Sequence, residues 1–223
     1  MNIVYLIGML LAIFFVLFGI MVDFKAPTPV DVGQLGLFFD PASMLIVVGG
    51  TLAVVIACYP KQVTSILKHF SIMLKAKAFN PEKYIDELVE LAQIARKNGL
   101  LALEEKASTQ TDPFFKQAIM LIVDATDPDR VKSILMNDIE QTSARHQDVI
   151  AMYERGSGAA PAFGMIGTLV GLVKMLYSLD GADMSGLGPN MGVALITTFY
   201  GSFMAHVIFN PIATNLSARD EEE

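Results

Sequence analysis

Two threonines, Thr168 and Thr198, lie in the middle of long apolar stretches of this 223-residue chain. A hydroxyl in such surroundings can donate to a carboxyl group, and its oxygen can bind a hard cation. It can also donate back to a carbonyl of its own helix, which requires no partner at all. Spacing alone favours this second, purely structural interpretation.

Ion movement through these stretches would need a group that can change its charge, and intramembrane carboxylates are the usual ones. Neither stretch contains Asp or Glu, and the one charged side chain within them is Lys174. Lys174 lies near the end of its stretch, where its aliphatic stem can extend to the lipid headgroups. We therefore expect any carboxylate on an ion path to come from a partner chain.

Two prolines lie on the same stretches. Pro161 precedes Thr168 by two helical turns on the same face, and its missing N–H leaves a carbonyl free. A proline in the first turn of a membrane helix would explain it equally well. Pro211 follows Asn210, and a stop signal for the last helix is its simplest explanation.

Small residues recur at helical spacing in both stretches. In lipid, helices associate through close approach of their backbones, so small residues predict a contact face. The predicted face of the first stretch includes Pro161 and Thr168, and that of the second consists of Ala194, Thr198, Gly201 and Ala205. The glycines that we expect to serve helix packing, rather than to cradle a nucleotide, are Gly164, Gly167, Gly171 and Gly201.

A cluster of charges lies in the segment IARKNGLLALEE. Arg96 and Lys97 end one predicted helix, and Glu104 and Glu105 follow the break at Gly99. Opposite charges on such a corner could bind a partner, although exposed charges are more often only solvated.

The elements that carry these residues follow from hydropathy. The chain is 53% hydrophobic with a positive mean hydropathy, which departs from a soluble domain. Nearly uncharged segments close to the roughly 20 residues of a membrane-spanning helix are Ile3 to Val22, Ala42 to Tyr59, Ala159 to Leu179 and Met191 to Ile212. With no strand alternation, the sequence predicts an all-α membrane protein with four transmembrane helices.

The region between the second and third spans is predicted to be helical. Asn80-Pro81, Asp112-Pro113 and Asp127-Pro128 each place a capping side chain before a proline. We expect residues 1–60 to contain spans 1 and 2, 61–156 to form a helical domain, and 157–223 to contain spans 3 and 4 with a short tail. The segment from Lys61 to Arg155 holds 13 of the 16 Lys and Arg residues. Its membrane-proximal basic residues predict that this domain and both termini are cytoplasmic.

Other chemistry finds little support in the sequence. Cys58 is the only cysteine, and the three histidines His69, His146 and His206 lack the spacing of metal ligands. There is no phosphate-binding glycine loop and no basic pattern suited to nucleic acid. We expect no enzymatic activity, no bound metal and no cofactor.

Four motifs connect the chain with a known family. It resembles the MotA and PomA proteins, the A subunits of the bacterial flagellar stator, in APAFGMIGTLVGLV, VALITTFYG, SMLIVVGG and ARKNGLLALEE. The motifs run from the second span to the end of the chain in the family's order. The resemblance implies a multi-pass protein of the bacterial inner membrane, in which five A subunits surround two MotB/PomB-type B subunits. Each B subunit carries an essential membrane aspartate, and the transported ion is H⁺ or Na⁺.

The resemblance also implies roles for individual residues. Pro161, Thr168 and Thr198 match the residues that line the ion path, and Pro211 matches a functionally sensitive proline. The residues that match those engaging the rotor protein FliG are Arg96, Lys97, Glu104 and Glu105. PomA has a further acidic residue where this chain has Ala107, so we expect a weaker charge pattern there. Relatives continue into a longer cytoplasmic tail beyond the position of Glu223, so either tail-dependent assembly differs or this chain is part of a longer one.

Two other functions stay open at this point. An energiser like ExbB or TolQ shares the last two spans but usually has three spans, so the extra N-terminal pair of spans and the charged corner favour the flagellar interpretation. A non-conducting scaffold would have threonines that bond only to their own helices. The ion also stays open, because paired threonines resemble sodium-type stators while a threonine oxygen can equally bind a water for proton transfer.

Overall fold

The computed structural model describes residues 3–22, 30–66, 69, 81–179 and 186–222. These residues are almost all helical, and the β-type pairing among them is a single isolated bridge between Val22 and Val30. The predicted all-α fold is confirmed.

The helices of the described residues follow in chain order. They are α1 (Ile3–Met21), α2 (Gln34–Leu37), α3 (Pro41–Cys58), α4 (Pro60–Val63), α5 (Pro81–Asn98), α6 (Leu103–Thr109, preceded by a 3₁₀ turn at Leu100–Ala102), α7 (Pro113–Val123), α8 (Pro128–Leu179) and α9 (Leu187–Glu222). Four of them, α1, α3, α8 and α9, are long and apolar enough to cross a membrane. The four predicted spans are therefore confirmed as helices.

Local sequence explains where several helices begin and end. The carboxylate of Asp112 accepts a hydrogen bond from the N–H of Phe114 at 3.0 Å, at the start of α7. Asp127 does the same for the N–H of Asp129 at 3.1 Å, at the start of α8. Gly99 ends α5 with a φ of 82°, which glycine adopts without a steric penalty. The third predicted cap, Asn80, lies outside the described residues.

The structure excludes the first-turn alternative for Pro161 and the helix stop expected at Pro211. Pro161 does not lie in the first turn of a helix, because α8 begins at Pro128 and continues unbroken past Pro161. Pro211 does not stop its helix either, since α9 continues to Glu222. Immediately before Pro211, the segment Met204–Phe209 is π-helical, and the N–H of Asn210 donates to the Ala205 carbonyl five residues earlier. This shift of the hydrogen-bond ladder accommodates a residue that has no N–H.

The chain divides into two compact units. The apolar unit consists of Met1–Ala76 and Gln147–Glu222, and the small unit consists of Lys77–His146. A domain boundary at 61 and 156 stays a prediction. The core of the apolar unit consists of Val55, Ile150, Met152, Tyr153, Phe209, Ile212 and Ala213. The core of the small unit consists of Leu91, Leu103, Ala107, Phe115 and Ile119.

Candidate functional site

Helices α8 and α9 pack so closely that backbone touches backbone. A Cβ atom added to Gly171 would lie 2.8 Å from the backbone nitrogen of Ala194, and one added to Gly201 would lie 2.7 Å from the carbonyl oxygen of Ala160. Real Cβ contacts are essentially never so short, and backbone atoms cannot move aside. Only glycine fits at these two positions.

The other two predicted packing glycines contact a residue that sequence reasoning missed. Gly164 approaches the backbone of Thr197, and Gly167 approaches its side chain. Thr197 is fully buried, and its hydroxyl donates back to the Val193 carbonyl at 2.9 Å. The predicted stripe placed Thr198 on this face, but an α-helix turns about 100° per residue, so adjacent threonines occupy different faces. Helical spacing from Ala194 to Gly201 fits either threonine, so the sequence pattern carried no signal in favour of Thr197.

Thr168 and Thr198 meet at the edge of this contact. Their hydroxyl oxygens are 2.6 Å apart, with Thr168 half-buried and Thr198 exposed. Thr168 also lies 3.1 Å from the carbonyl oxygen of Gly164, and Thr198 lies 3.2 Å from that of Ala194. Each hydroxyl therefore lies within hydrogen-bond distance of a carbonyl of its own helix and of the other hydroxyl. The structural interpretation, a bond back to the same helix, thus does not exclude contact with another polar group.

The number of protons limits what this cluster can do alone. Three hydroxyls, those of Thr168, Thr197 and Thr198, lie within 3.2 Å of the Ala194 carbonyl oxygen. A carbonyl has two lone pairs and each hydroxyl has one proton, so these contacts are not all hydrogen bonds at once. Oxygen lone pairs of Thr168 and Thr198 consequently remain available to an O–H donor or a hard cation.

Pro161 lies next to the same helix contact, but Pro211 does not. The Cα of Pro161 lies 3.2 Å from where a Cβ on Gly201 would be, and its missing N–H deprives the carbonyl of Ser157 of its usual helical donor. Pro211 lies 13 residues beyond Thr198 on α9, which corresponds to about 20 Å along a helix. Of the predicted ion-path residues, the structure brings Thr168 and Thr198 together, with Pro161 two turns away.

A second polar arrangement joins α9 to the start of α3. The hydroxyl of Tyr200 donates to the Phe38 carbonyl and accepts from the N–H of Asp40 at 3.3 Å. Asp40 in turn accepts hydrogen bonds from the hydroxyl and the N–H of Ser43, the latter at 2.9 Å. These bonds from Ser43, aided by the positive charge of Lys174, hold the pKa of Asp40 below its usual value. Sequence reasoning missed Tyr200, because its partners are backbone groups 160 residues away.

The charged corner belongs to the small unit. Arg96 and Lys97 are exposed at the end of α5, and Glu104 and Glu105 are exposed at the start of α6. Within the described ranges none of the four forms an ion pair. The nearby pair is Lys106 with Glu90, at 2.7 Å. The two glutamates line an open groove of about 630 Å³, whose other lining residues are Ile94, Asn98, Leu101, Ala102, Lys106 and Ser108.

Ala107 does not belong to this surface. It is fully buried in the core of the small unit, against residues such as Leu91 and Phe115. A carboxylate at this position would lie inside the core rather than on the corner. Whether the charge pattern of the corner is weaker than in PomA stays a prediction.

Across the part of the chain that the structure describes, no three His, Cys, Asp or Glu side chains come close enough to hold a metal ion.

Comparison with known sequences places this geometry in a family. Residues 106–223 match the model of the MotA/TolQ/ExbB proton channel family. The chain is 43% identical to the chemotaxis protein PomA of Vibrio alginolyticus, over 86% of this chain and 74% of that protein. It is 37% identical to motility protein A of Borreliella burgdorferi, over 92% of this chain and 78% of that protein.

Solved structures agree with the sequence comparison. The structure of C. jejuni MotAB matches with a TM-score of 0.83 and 25% identity, covering all of this chain and 84% of that one. The flagellar MotAB stator complex of Bacillus subtilis matches with a TM-score of 0.82 and 27% identity, covering 97% and 82%. The chain belongs to the MotA/TolQ/ExbB proton channel family.

Proposed function

We propose that this protein is the A subunit of an ion-driven flagellar motor stator, which couples H⁺ or Na⁺ flow across the bacterial inner membrane to torque on the rotor. The observation that carries this proposal is the contact between Thr168 and Thr198, two hydroxyls 2.6 Å apart at the edge of a tight helix contact. Relatives named motility protein A and PomA support the same role.

The threonine pair needs a titratable partner, because neither of its spans contains Asp or Glu. We propose that a MotB/PomB-type B subunit supplies a membrane aspartate to this pair. When a proton or Na⁺ neutralises the aspartate, its carboxyl group can interact with the threonine oxygens in hydrocarbon at low cost. When the ion leaves, the charged carboxylate favours a wetter position. The pair thus distinguishes the loaded from the unloaded state.

This distinction converts ion flow into movement. Each elementary charge that crosses 100 mV releases about 2.3 kcal/mol. With five A subunits around two B subunits, successive loading of the aspartates would turn the A ring stepwise around the B dimer. The two solved relatives are both described as MotAB, which supports a B-type partner.

The distribution of basic residues supports an orientation of the protein in the membrane. Between Lys61 and Arg155 lie 13 of the 16 Lys and Arg residues. We propose that this segment and both termini are cytoplasmic, in line with the positive-inside rule. The Asp40 end of α3 then faces the outside.

The exposed corner of the small unit is then available to the rotor. Arg96, Lys97, Glu104 and Glu105 are exposed and free of ion pairs within the described residues, so a partner does not have to displace internal bonds. We propose that they engage FliG, and that the groove beside Glu104 and Glu105 contributes apolar contact through Ile94 and Leu101.

Thr198→Ala tests the proposal at its central residue. We expect the variant to assemble with its B partner but to lose most of its torque, measured on single motors. Thr64→Ala is a matched control, because Thr64 is exposed outside α9 and its hydroxyl donates to the nearby Lys61 carbonyl at 2.7 Å. Normal torque in Thr198→Ala would reject the proposed role of the pair.

Flux measurements separate a conducting stator from a passive scaffold. The protein is reconstituted with its B partner, with and without an Asp→Asn change in the partner's membrane segment. Aspartate-dependent ion flux supports the stator, and flux that is absent in both samples supports the scaffold. Removing external sodium at fixed membrane potential then identifies the ion, since a sodium-driven motor stops and a proton-driven motor continues.

A further inference from the structure

The exposed face of α9 changes its chemistry halfway along the helix. Before Thr198, this face exposes apolar side chains, Met191 and Leu195 among them. From Thr198 onward, the exposed residues at four-residue spacing are polar as far as Thr214, namely Thr198, Ser202, His206, Asn210 and Thr214, and the exposed Ala218 follows them. Polar groups facing hydrocarbon are costly, so this half of the face is covered by water or by a partner rather than by lipid.

The polar stripe runs beside the packed face of the same helix. The buried residues, each one position earlier in the chain, are Thr197, Gly201, Ala205 and Phe209. The polar side chains therefore point away from the core along the edge on which Thr168 and Thr198 meet, and they continue that edge toward Glu222.

The π-helical segment keeps this stripe on one side. In an α-helix, residues four apart drift by about 40° around the axis at each step, so three steps would carry a stripe to another face. Met204–Phe209 forms a wider turn, which opposes the drift between Ser202 and Asn210. Such segments occur often at functional sites.

His206 is the titratable residue of the stripe. It is exposed and has no hydrogen-bond partner among the described residues. The helices that pack near this segment offer few charges. The titratable or charged side chains on or directly beside these helices are Tyr5 on α1, Cys58 and Tyr59 at the end of α3, Tyr153, Glu154 and Arg155 on α8, His69 beside Tyr153, and Arg219 further along α9. Tyr5 and Tyr59 pack against the core of the apolar unit, and Tyr153 lies within that core, its hydroxyl 3.4 Å from His69.

We propose that Ser202, His206 and Asn210 continue the ion path from Thr198 toward the C-terminal end of α9, and that His206 is the residue at which the departing cation is released. This inference rests on the proposed stator function and its orientation. His206 lies eight residues, or about 12 Å, beyond Thr198, so bridging waters must complete the path.

The chemistry of imidazole makes the release site sensitive to protonation. A neutral ring has a nitrogen lone pair that accepts a proton from water or holds a water of a hydrated Na⁺ ion. In the proton case, the N–H bond forms as the O–H bond of the donor breaks, and the proton then passes to water at the cytoplasmic end. A protonated ring has no acceptor and carries a positive charge, so it opposes the arrival of any further cation.

Torque at controlled cytoplasmic pH tests the proposal. The intact stator is expressed in motile cells, and the total ion-motive force is held constant while the cytoplasm is acidified from about pH 7.5 to 5.5, the range in which histidines commonly change charge. Wild-type torque should fall, and His206→Asn, which keeps a polar side chain but cannot titrate there, should not show this fall. His206→Lys, which carries a positive charge throughout, should give low torque at every pH. His146→Asn, in the small unit, should have the wild-type profile.

The outcomes are distinguishable once assembly with the B partner is verified for each variant. A pH profile of His206→Asn equal to that of the wild type overturns the inference, as does wild-type torque in His206→Lys. If Thr198→Ala or loss of the partner's aspartate leaves torque unchanged, the proposed function itself fails. If those changes abolish torque while His206→Asn follows the wild-type profile, only the release site is wrong.

Discussion

The contact between α8 and α9 at the threonine pair and the core of the small unit are packed in different ways. In the apolar unit, α8 and α9 meet through glycines, and at Gly171 and Gly201 backbone atoms lie too close for any side chain. In the small unit, the core consists of larger side chains such as Leu91, Phe115 and Ile119. The first contact is therefore intolerant of added atoms, and the second is intolerant of added charge.

The surroundings of each unit explain the contrast. Between helices in lipid there is no hydrophobic driving force, so close packing must stabilise the contact. In water, burying apolar area contributes roughly 25 cal/mol per Å², which favours bulky side chains in a core. Substitutions that test one mechanism should have little effect in the other unit.

The largest effect is expected in the small unit, from Ala107→Glu. Ala107 is fully buried, so its replacement would place an unpaired carboxylate in the core. We expect the free energy of unfolding of this unit to fall by roughly 3 to 5 kcal/mol, measured by hydrogen exchange in the full-length protein. Ser108→Glu, at the exposed neighbouring position, should change it by no more than about 0.5 kcal/mol. Equal protection of the backbone amides from hydrogen exchange in both variants would contradict the burial of Ala107 in the core.

In the apolar unit the most damaging small change is Gly201→Ala. The new methyl group would collide with the Ala160 carbonyl, 2.7 Å from an ideal Cβ. Overpacking of this kind costs about 1 to 3 kcal/mol, which should lower the melting temperature in detergent. Gly192→Ala on the same helix meets nothing within 4 Å and should be neutral or stabilising. If both variants melt alike, the backbone contact is not as close as described.

A smaller loss is expected from Tyr200→Phe, which keeps the ring and removes the hydroxyl. The Phe38 carbonyl and the Asp40 N–H each lose a partner. We expect the stability of the apolar unit to fall by about 1 to 2 kcal/mol, read from thermal melting. Tyr177→Phe is the control, because Tyr177 is 79% exposed. An unchanged melting temperature for Tyr200→Phe would mean that this bridge contributes nothing.

The smallest effect on stability is expected at the charged corner. Glu104→Lys replaces an exposed side chain without an ion pair, so the free energy of unfolding should change by no more than about 0.5 kcal/mol. If the corner engages the rotor, torque should nevertheless drop while assembly stays normal. Glu140→Lys, an exposed acidic residue on α8, should leave torque unchanged. Equal torque in both variants would remove the corner from the proposed rotor surface.

The sequence was sufficient to predict the long apolar helices but not to predict which residues lie on their contact faces. Hydropathy located all four long apolar helices, since length and lack of charge decide that property. It did not distinguish Thr197 from Thr198, because small-residue spacing permits either threonine on the contact. The buried position of Ala107 was also missed, since a single alanine in a charged segment gives no sign of the core beneath it.

Long-range hydrogen bonds were outside the reach of sequence patterns. Tyr200 bonds to backbone groups near Asp40, and such partners leave no periodic signal. The prolines misled for a related reason. Pro161 and Pro211 have ordinary explanations at helix ends, and only the structure places both of them inside continuous helices.

The π-helical segment Met204–Phe209 also has a consequence for how the gene can vary. Deleting a single codon here would remove the additional residue that the wide turn holds, and the segment could then close as an ordinary α-helix. Because i→i+5 bonding takes in one residue more than i→i+4 bonding, the later residues would keep their facing, and Ile212 and Ala213 would stay in the core that they fill. The same deletion in the α-helical part of α9 before Met204 would instead rotate every later residue by about 100°. Of the turns of α9, this one therefore tolerates the loss of a residue best.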